Sequence, residues 1–391
     1  MCGLGSLDCK NLLSKAMHST GLEDLSGPGC EEALGVLIDS CNAEADLSIV
    51  GRKAAQQHLL DLLQVRLRLV DYWRKTPAIQ EQIIKPPLFI TGTPKSASTF
   101  LHRLLAEDPG NRTPRTWEVM FPLPSPKGET FDSDPRIDEA EERLRWLRWI
   151  QPAVTKAHPI GARLPQECGP ILAHSFKSYV FLDMFSIPSY EIWLRGQDMA
   201  PAYRFHMSFL KHLQWLCPGD RWVLKSSDHV HALATLFQTY PEARVIFLHR
   251  DPMRVLELST SQMTLIKKIF RRTIDGRRLG ANEARILTDK VNKIMEFRSS
   301  SSNLSLDSQI IDIRYLDLAK DPVMTVRTIY DRFGFTLSPL AEVRMETFVA
   351  TERASKSLDK YFLGDFGLDP QHEDPQFTAY RERFSVEREP L

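Results

Sequence analysis

The chain has 391 residues, 42 % of them hydrophobic and 26 % charged, with 50 Lys plus Arg against 50 Asp plus Glu. These values suit a globular fold with a sizeable core, and the balanced charge excludes a whole-surface attraction to nucleic acid or anionic lipid. No apolar run approaches the roughly 20 residues of a membrane span, no secretory leader pattern opens the chain, and none of the six cysteines shows CxxC spacing, so reduced thiols in a cytoplasmic protein are expected.

Residues 1–29 are weakly patterned and close on Ser26-Gly27-Pro28-Gly29, a cluster of helix breakers. Two helices are predicted next, from Glu31 to Asn42 and from Arg52 to Trp73. In the second, Ala55, Leu59, Leu62, Leu63, Leu67 and Val70 recur at spacings of three and four and line one face. Residues 1–85 are therefore expected to form a helical extension packed on a core domain at 86–391. That domain opens with Leu88-Phe89-Ile90, a short apolar run suited to a buried parallel strand. A helix over Ser98–Glu107 follows. Further strands are predicted at Trp222–Leu224, Arg244–His249 and Ile310–Arg314, with a helix at 229–239 between the first two. Strands alternating with helices imply an α/β fold, a central parallel sheet with helices on both faces. A basic run at 267–278 reads first as a solvated helix face, and Ser-Ser-Ser-Ser-Asn at 299–303 as a loop.

The segment Gly92-Thr93-Pro94-Lys95-Ser96-Ala97-Ser98-Thr99 joins the first core strand to a helix. Unpaired amides at such a helix start, reinforced by the helix dipole, form an anion site. Hydroxyls at Ser96, Ser98 and Thr99 and the charge of Lys95 add to it. In the GxxxxGK[ST] loop of nucleotide triphosphatases the lysine immediately precedes the last residue. Here that position is Ser98 and the lysine comes earlier, so the usual grip on an ATP γ-phosphate is disfavoured.

The Pro-Lys-Ser-x-Ser-Thr loop resembles the 5′-phosphosulfate loop of sulfotransferases that use 3′-phosphoadenosine-5′-phosphosulfate. The similarity extends over most of the chain and is strongest to their large, mostly bacterial branch, which carries a helical N-terminal extension. It implies a P-loop-like three-layer fold. It also implies that Arg250, in Arg250-Asp251-Pro252, grips the donor's 3′-phosphate. The family's partner serine lies eight residues later; here that residue is Leu258, and Ser259 is the nearest substitute. Tyr315, in Tyr315-Leu316-Asp317-Leu318, corresponds to a tyrosine near the adenine. The segment from Tyr361 to Leu368 resembles the branch's closing segment, with no chemistry assigned.

Sulfuryl transfer needs cations for the leaving phosphate and a base for the acceptor hydroxyl. Lys95, where the resemblance places the family's loop cation, and Lys225, straight after a buried strand as a family lysine is, are the expected cations. Glu167, in Pro165-Gln166-Glu167, is the first candidate base, His229, four residues after Lys225, the second, and His158 the third. In animal-type relatives the histidine comes two after the lysine, where this chain has Ser227. No metal is implied. Phe176, Tyr179, Phe181, Phe185, Tyr190 and Trp193 read as core first; if some line a pocket, a small apolar or phenolic acceptor is expected. A homodimer stays open. Two rivals remain at this point: a nucleotide-binding protein without turnover, suggested by Ala97 and Leu258 where the family has Gly and Ser, and an ATP-dependent phosphotransferase. Ala97 costs on the order of 1 kcal/mol if its φ is positive, and nothing if it is helical.

Overall fold

The structure, a computed structural model, describes residues 6–27, 29–150, 152, 159–353 and 363–391. The chain divides into two compact units, one of residues 1–84, 114–218 and 265–274, the other of 85–113, 219–264 and 275–391.

The first unit is helical among its described residues. A helix at Cys9–Thr20 precedes the two anticipated ones, which run over Cys30–Glu44 and Ile49–Lys75. Its local code is present: the Asp8 carboxylate accepts from the Asn11 amide at 2.6 Å, and Gly21 closes the helix at φ 69°. The long helix starts one turn earlier than the periodicity suggested, because Ser48 accepts from the Gly51 amide and caps it. All six residues of the anticipated apolar face are buried. Burying six such side chains contributes on the order of 10 kcal/mol before entropy is counted. Phe176, Phe181, Phe185 and Tyr190 are buried core residues, with the Tyr190 hydroxyl donating to the Phe176 carbonyl at 2.8 Å, while Tyr179 and Trp193 are half-buried.

The second unit is built on five parallel strands: β1 (Leu88–Gly92), β2 (Asn111–Arg112), β3 (Arg221–Lys225), β4 (Arg244–His249) and β5 (Ile310–Arg314). Their order is β2-β3-β1-β4-β5. β1 is buried along its whole length, as its unbroken apolar run requires. Its side chains alternate between two packed faces. Leu88 and Ile90 meet Leu101, Leu104, Val326 and Ile329 of the helices Ser98–Leu105 and Pro322–Phe333. On the other face the Phe89 ring lies 5.1 Å from the His229 ring, and Phe247 of β4 lies 6.3 Å from Phe297 of the helix Gly276–Ser299. Helices thus cover both faces of a parallel sheet. The edge strand β2 is two residues long and has no periodicity to read. The anticipated helix at 229–239 is a 3-10 turn at Ser227–His231 followed by an α-helix at Leu233–Thr239.

The basic run 267–278 is not one helix face. Lys267 is buried and donates to the Phe185 carbonyl at 3.2 Å, Arg272 pairs with Asp46, and Arg277 and Arg278 are exposed at the start of the helix Gly276–Ser299.

Candidate functional site

β1 lies in the middle of the sheet, between β3 and β4. Ligands of such sheets bind where loops diverge at the strands' carboxyl ends. Lys95 and Arg250 lie in the loops after β1 and β4, and Lys225 ends β3.

The loop after β1 is a tight turn with unusual backbone. Gly92 has φ 124°, and a Cβ there would lie 2.2 Å from the Leu248 carbonyl oxygen, so only glycine lets β1 end this close to β4. The Thr93 amide donates to that same carbonyl at 3.2 Å. The buried Ser96 hydroxyl donates to the Thr93 carbonyl at 2.6 Å, closing the loop on itself. Pro94 is half-buried between them. Lys95 and Ala97 are both left-handed, at φ 58° and 65°. This backbone directs successive amides inward. Ala97 therefore occupies a conformation that favours glycine. The helix Ser98–Leu105 then starts from Ala97 with no side-chain cap, which leaves its first amides to a ligand.

Two further cations converge on this loop. Buried Lys225, the last residue of β3, donates from Nζ to the Thr99 Oγ1 at 2.8 Å. Arg250, just past β4, donates from Nη1 to the Lys95 carbonyl at 2.7 Å. The Arg250 Cζ also lies 3.7 Å from the centre of the Tyr315 ring, which begins the helix Tyr315–Lys320. The remaining face of the guanidinium meets a carboxylate: Nε and Nη2 donate to the two oxygens of Glu389 at 2.8 and 2.7 Å. Both side chains of this pair are about nine-tenths buried, at 10 % and 12 % exposure. A bidentate carboxylate has the shape of a bidentate phosphate.

Asp251 does not pair with Arg250. Its Oδ1 accepts from Arg381 Nε and Nη2 at 3.0 and 2.8 Å, and its Oδ2 from the Glu389 amide at 3.0 Å. Beneath Arg250, buried His249 contacts the Tyr380 hydroxyl at 2.8 Å and Asp312 at 2.9 Å. Burial pushes the His249 pKa down, against the pull of Asp312. Ser259 is buried in the helix Pro252–Phe270, and its Oγ has no hydrogen-bond partner among the described residues. A buried hydroxyl of this kind is costly unless something else engages it.

His229 is buried edge-on against Phe89, and the neighbouring Asp228 forms an ion pair with Lys290 at 2.7 Å. Burial would raise the Asp228 pKa, but Lys290 and the flanking histidines outweigh it and hold the carboxyl below its usual range. Glu167 belongs to the first unit, where it precedes the helix Cys168–Ala173 half-buried and without capping it. His158 and the residues Tyr361 and Phe362 lie outside the described residues.

The model of a protein family described as the sulfotransferase family matches residues 86–339. The chain belongs to the sulfotransferase family. The sulfotransferase STF1 from Mycobacterium tuberculosis H37Rv is similar in crystal structure, with TM-score 0.84, 30 % identity and coverage of 96 % of this chain and 99 % of that one. STF9 from Mycobacterium avium is similar at TM-score 0.87 and 25 % identity, over 100 % of both chains. A curated relative from Mycobacterium bovis, omega-hydroxy-beta-dihydromenaquinone-9 sulfotransferase Stf3, is 24 % identical over 275 residues, 64 % of this chain and 63 % of its own length. No described helix of the chain is long and apolar enough to cross a membrane.

Sequence reasoning missed Glu389, Thr99 as the acceptor of the Lys225 proton donor, and the Arg381–Asp251 brace. Glu389 lies 139 residues from Arg250 and carries no motif. Thr99 was legible as a loop hydroxyl, but its partner lies 126 residues away.

Proposed function

We propose that this sulfotransferase moves a sulfuryl group from 3′-phosphoadenosine-5′-phosphosulfate to a hydroxyl of a small, apolar or phenolic acceptor. One observation carries the reading: Lys225 and Arg250, from two different strand ends, both bond to the loop that holds Lys95. The loop from Thr93 to Thr99 takes the 5′-phosphosulfate on its amides, and Lys95 supplies charge. Arg250 takes the 3′-phosphate, with Ser259 as a second donor, and Tyr315 lies beside the base. Lys225 stabilises the leaving phosphate oxygen as the sulfur bonds to the acceptor. Glu167 or His229 accepts the hydroxyl proton. The lysines supply the positive charge that a metal would otherwise bring. An apolar acceptor is in keeping with the hydroxylated dihydromenaquinone named for the Stf3 relatives. Reduced cysteines without pairing spacing support a cytoplasmic setting.

A second reading, nucleotide binding without turnover, is favoured by the strained Ala97. An acceptor screen with donor labelled in its sulfate separates the two. The enzyme reading expects label in a product and its loss in Lys95→Ala. Tight binding of adenosine 3′,5′-bisphosphate with no label transferred to any hydroxylated acceptor would favour the binder.

A further inference from the structure

The helical unit contains a cavity of about 470 Å³ that shares no residue with the phosphate loop or with Arg250 and its neighbours. Its size falls within the range of small-molecule sites, roughly 300–1,000 Å³. Four cationic side chains line it, Arg66, Arg74, Lys177 and Arg204, against one carboxylate, Asp24.

Two of these cations are buried without a carboxylate partner among the described residues. Arg66 is 4 % exposed, and its donors go to backbone carbonyls: Nε to Leu25 at 2.6 Å, Nη1 to His174 at 3.0 Å, and Nη2 to Ser26. Lys177 is 8 % exposed and donates to the Asp198 carbonyl at 3.3 Å, with its ammonium 5.8 Å above the Trp193 ring. Carbonyls satisfy hydrogen bonds but leave the net charge in place. Buried charge of that kind is costly unless a counter-charge joins it. Asp24 is turned to the rim, where it pairs with Arg74, and both are more than half exposed.

The Trp73 indole N–H and the Gln80 side-chain N–H₂ have no acceptor among the described residues, but both atoms are sealed off from the cavity itself. The helix Cys30–Glu44 begins at the wall from Gly29, with no side-chain cap on its first amides. Gly27 and Gly29 bring this backbone close to the two buried cations: a Cβ on Gly27 would lie 3.7 Å from Arg66 Nη2, and one on Gly29 4.0 Å from Lys177 Nζ and 3.9 Å from Glu32 Oε2, a first-turn carboxylate that does not line the cavity. Trp73 and Phe205 add apolar wall, and the Arg66 guanidinium sits 4.3 Å over the Phe205 ring. Unused donors and buried cations beside aromatic rings call for a ligand with a multiply accepting anionic head and a small apolar body.

We propose that this cavity is a binding site for a small tetrahedral oxyanion ester, a phosphate or sulfate monoester with an aryl or short alkyl group, separate from the sulfuryl-donor site. Lys177 and Arg66 take the oxyanion, and Arg204 closes the rim.

The test is calorimetry of the full chain with phenyl phosphate and phenyl sulfate, in chloride buffer saturated with adenosine 3′,5′-bisphosphate. One saturable site is expected for at least one ester. Inorganic phosphate or sulfate binding as tightly as the matching ester would overturn the ester assignment. Lys177→Met should weaken binding at least tenfold, and Arg204→Ala, an exposed change that leaves packing intact, several-fold. Both variants should keep the wild-type affinity for adenosine 3′,5′-bisphosphate, which also reports that they fold. The proposal fails if neither ester binds below about 10 mM, a floor already near 3 kcal/mol of binding energy. It fails equally if the bisphosphate abolishes ester binding, or if both variants bind the esters as the wild type does.

Discussion

At the two ends of the candidate donor site, cations are held by different kinds of partner. Lys225 reaches the phosphate loop through a neutral hydroxyl, Thr99. Arg250 reaches it through the Lys95 carbonyl and is also clasped by a carboxylate, Glu389. The loop end is thus built mainly from one short stretch of chain plus a single strand terminus. The arginine end is assembled from the residue after β4, the residue after β5 and the irregular segment that follows the helix Thr378–Phe384. The second already has an anion in its fork.

Removing Lys225 attacks the loop end and carries the largest expected effect. Lys225→Ala should lower the turnover rate by on the order of 100- to 1,000-fold with a smaller change in donor affinity, if, as proposed, this lysine stabilises charge that grows in the transition state. Single-turnover kinetics with labelled donor would show this; an unchanged rate would remove Lys225 from the chemistry. Arg250→Lys attacks the other end. It keeps charge but loses the fork, and should weaken adenosine 3′,5′-bisphosphate by roughly 10- to 100-fold in calorimetry. Equal affinity would mean that the nucleotide lies elsewhere.

Glu389→Gln sharpens the contrast, because it should strengthen the same ligand by about three- to tenfold as the guanidinium loses a charged partner. A weaker complex would make Glu389 a support rather than a competitor. The smallest effect belongs to the loop backbone. Ala97→Gly relieves a left-handed alanine and should stabilise the fold by about 0.5–1 kcal/mol, seen as a higher urea midpoint. No shift, or a lower midpoint, would show that the unfolded-state entropy of glycine cancels the relief.

The same contrast explains what could be read from sequence. β1, β3, β4 and β5 are apolar runs closed by loops, and the phosphate loop sits at a strand-to-helix junction, so local pattern identified them. The short strand β2 pairs Asn111 and Arg112 with Arg221 and Trp222, a match with no signature inside two residues. The helix Cys9–Thr20 was missed despite Asp8 and Gly21, because its apolar face is narrow, with only Leu12 and Ala16 buried. Glu389 stayed invisible because a surface-type residue near a chain end says nothing about which distant arginine it will meet. Nor does adjacency in sequence pair Arg250 with Asp251, because Arg381, 130 residues away, engages that carboxylate.

The Glu389 clasp has a consequence for solution behaviour. If a nucleotide phosphate takes the place of the carboxylate, one anion is exchanged for another on the same guanidinium, and no bare positive charge is exposed at either stage. Added salt screens the outgoing contact as well as the incoming one. Nucleotide affinity should therefore fall less steeply with ionic strength in the native chain than in Glu389→Gln, where only the incoming contact is subject to screening.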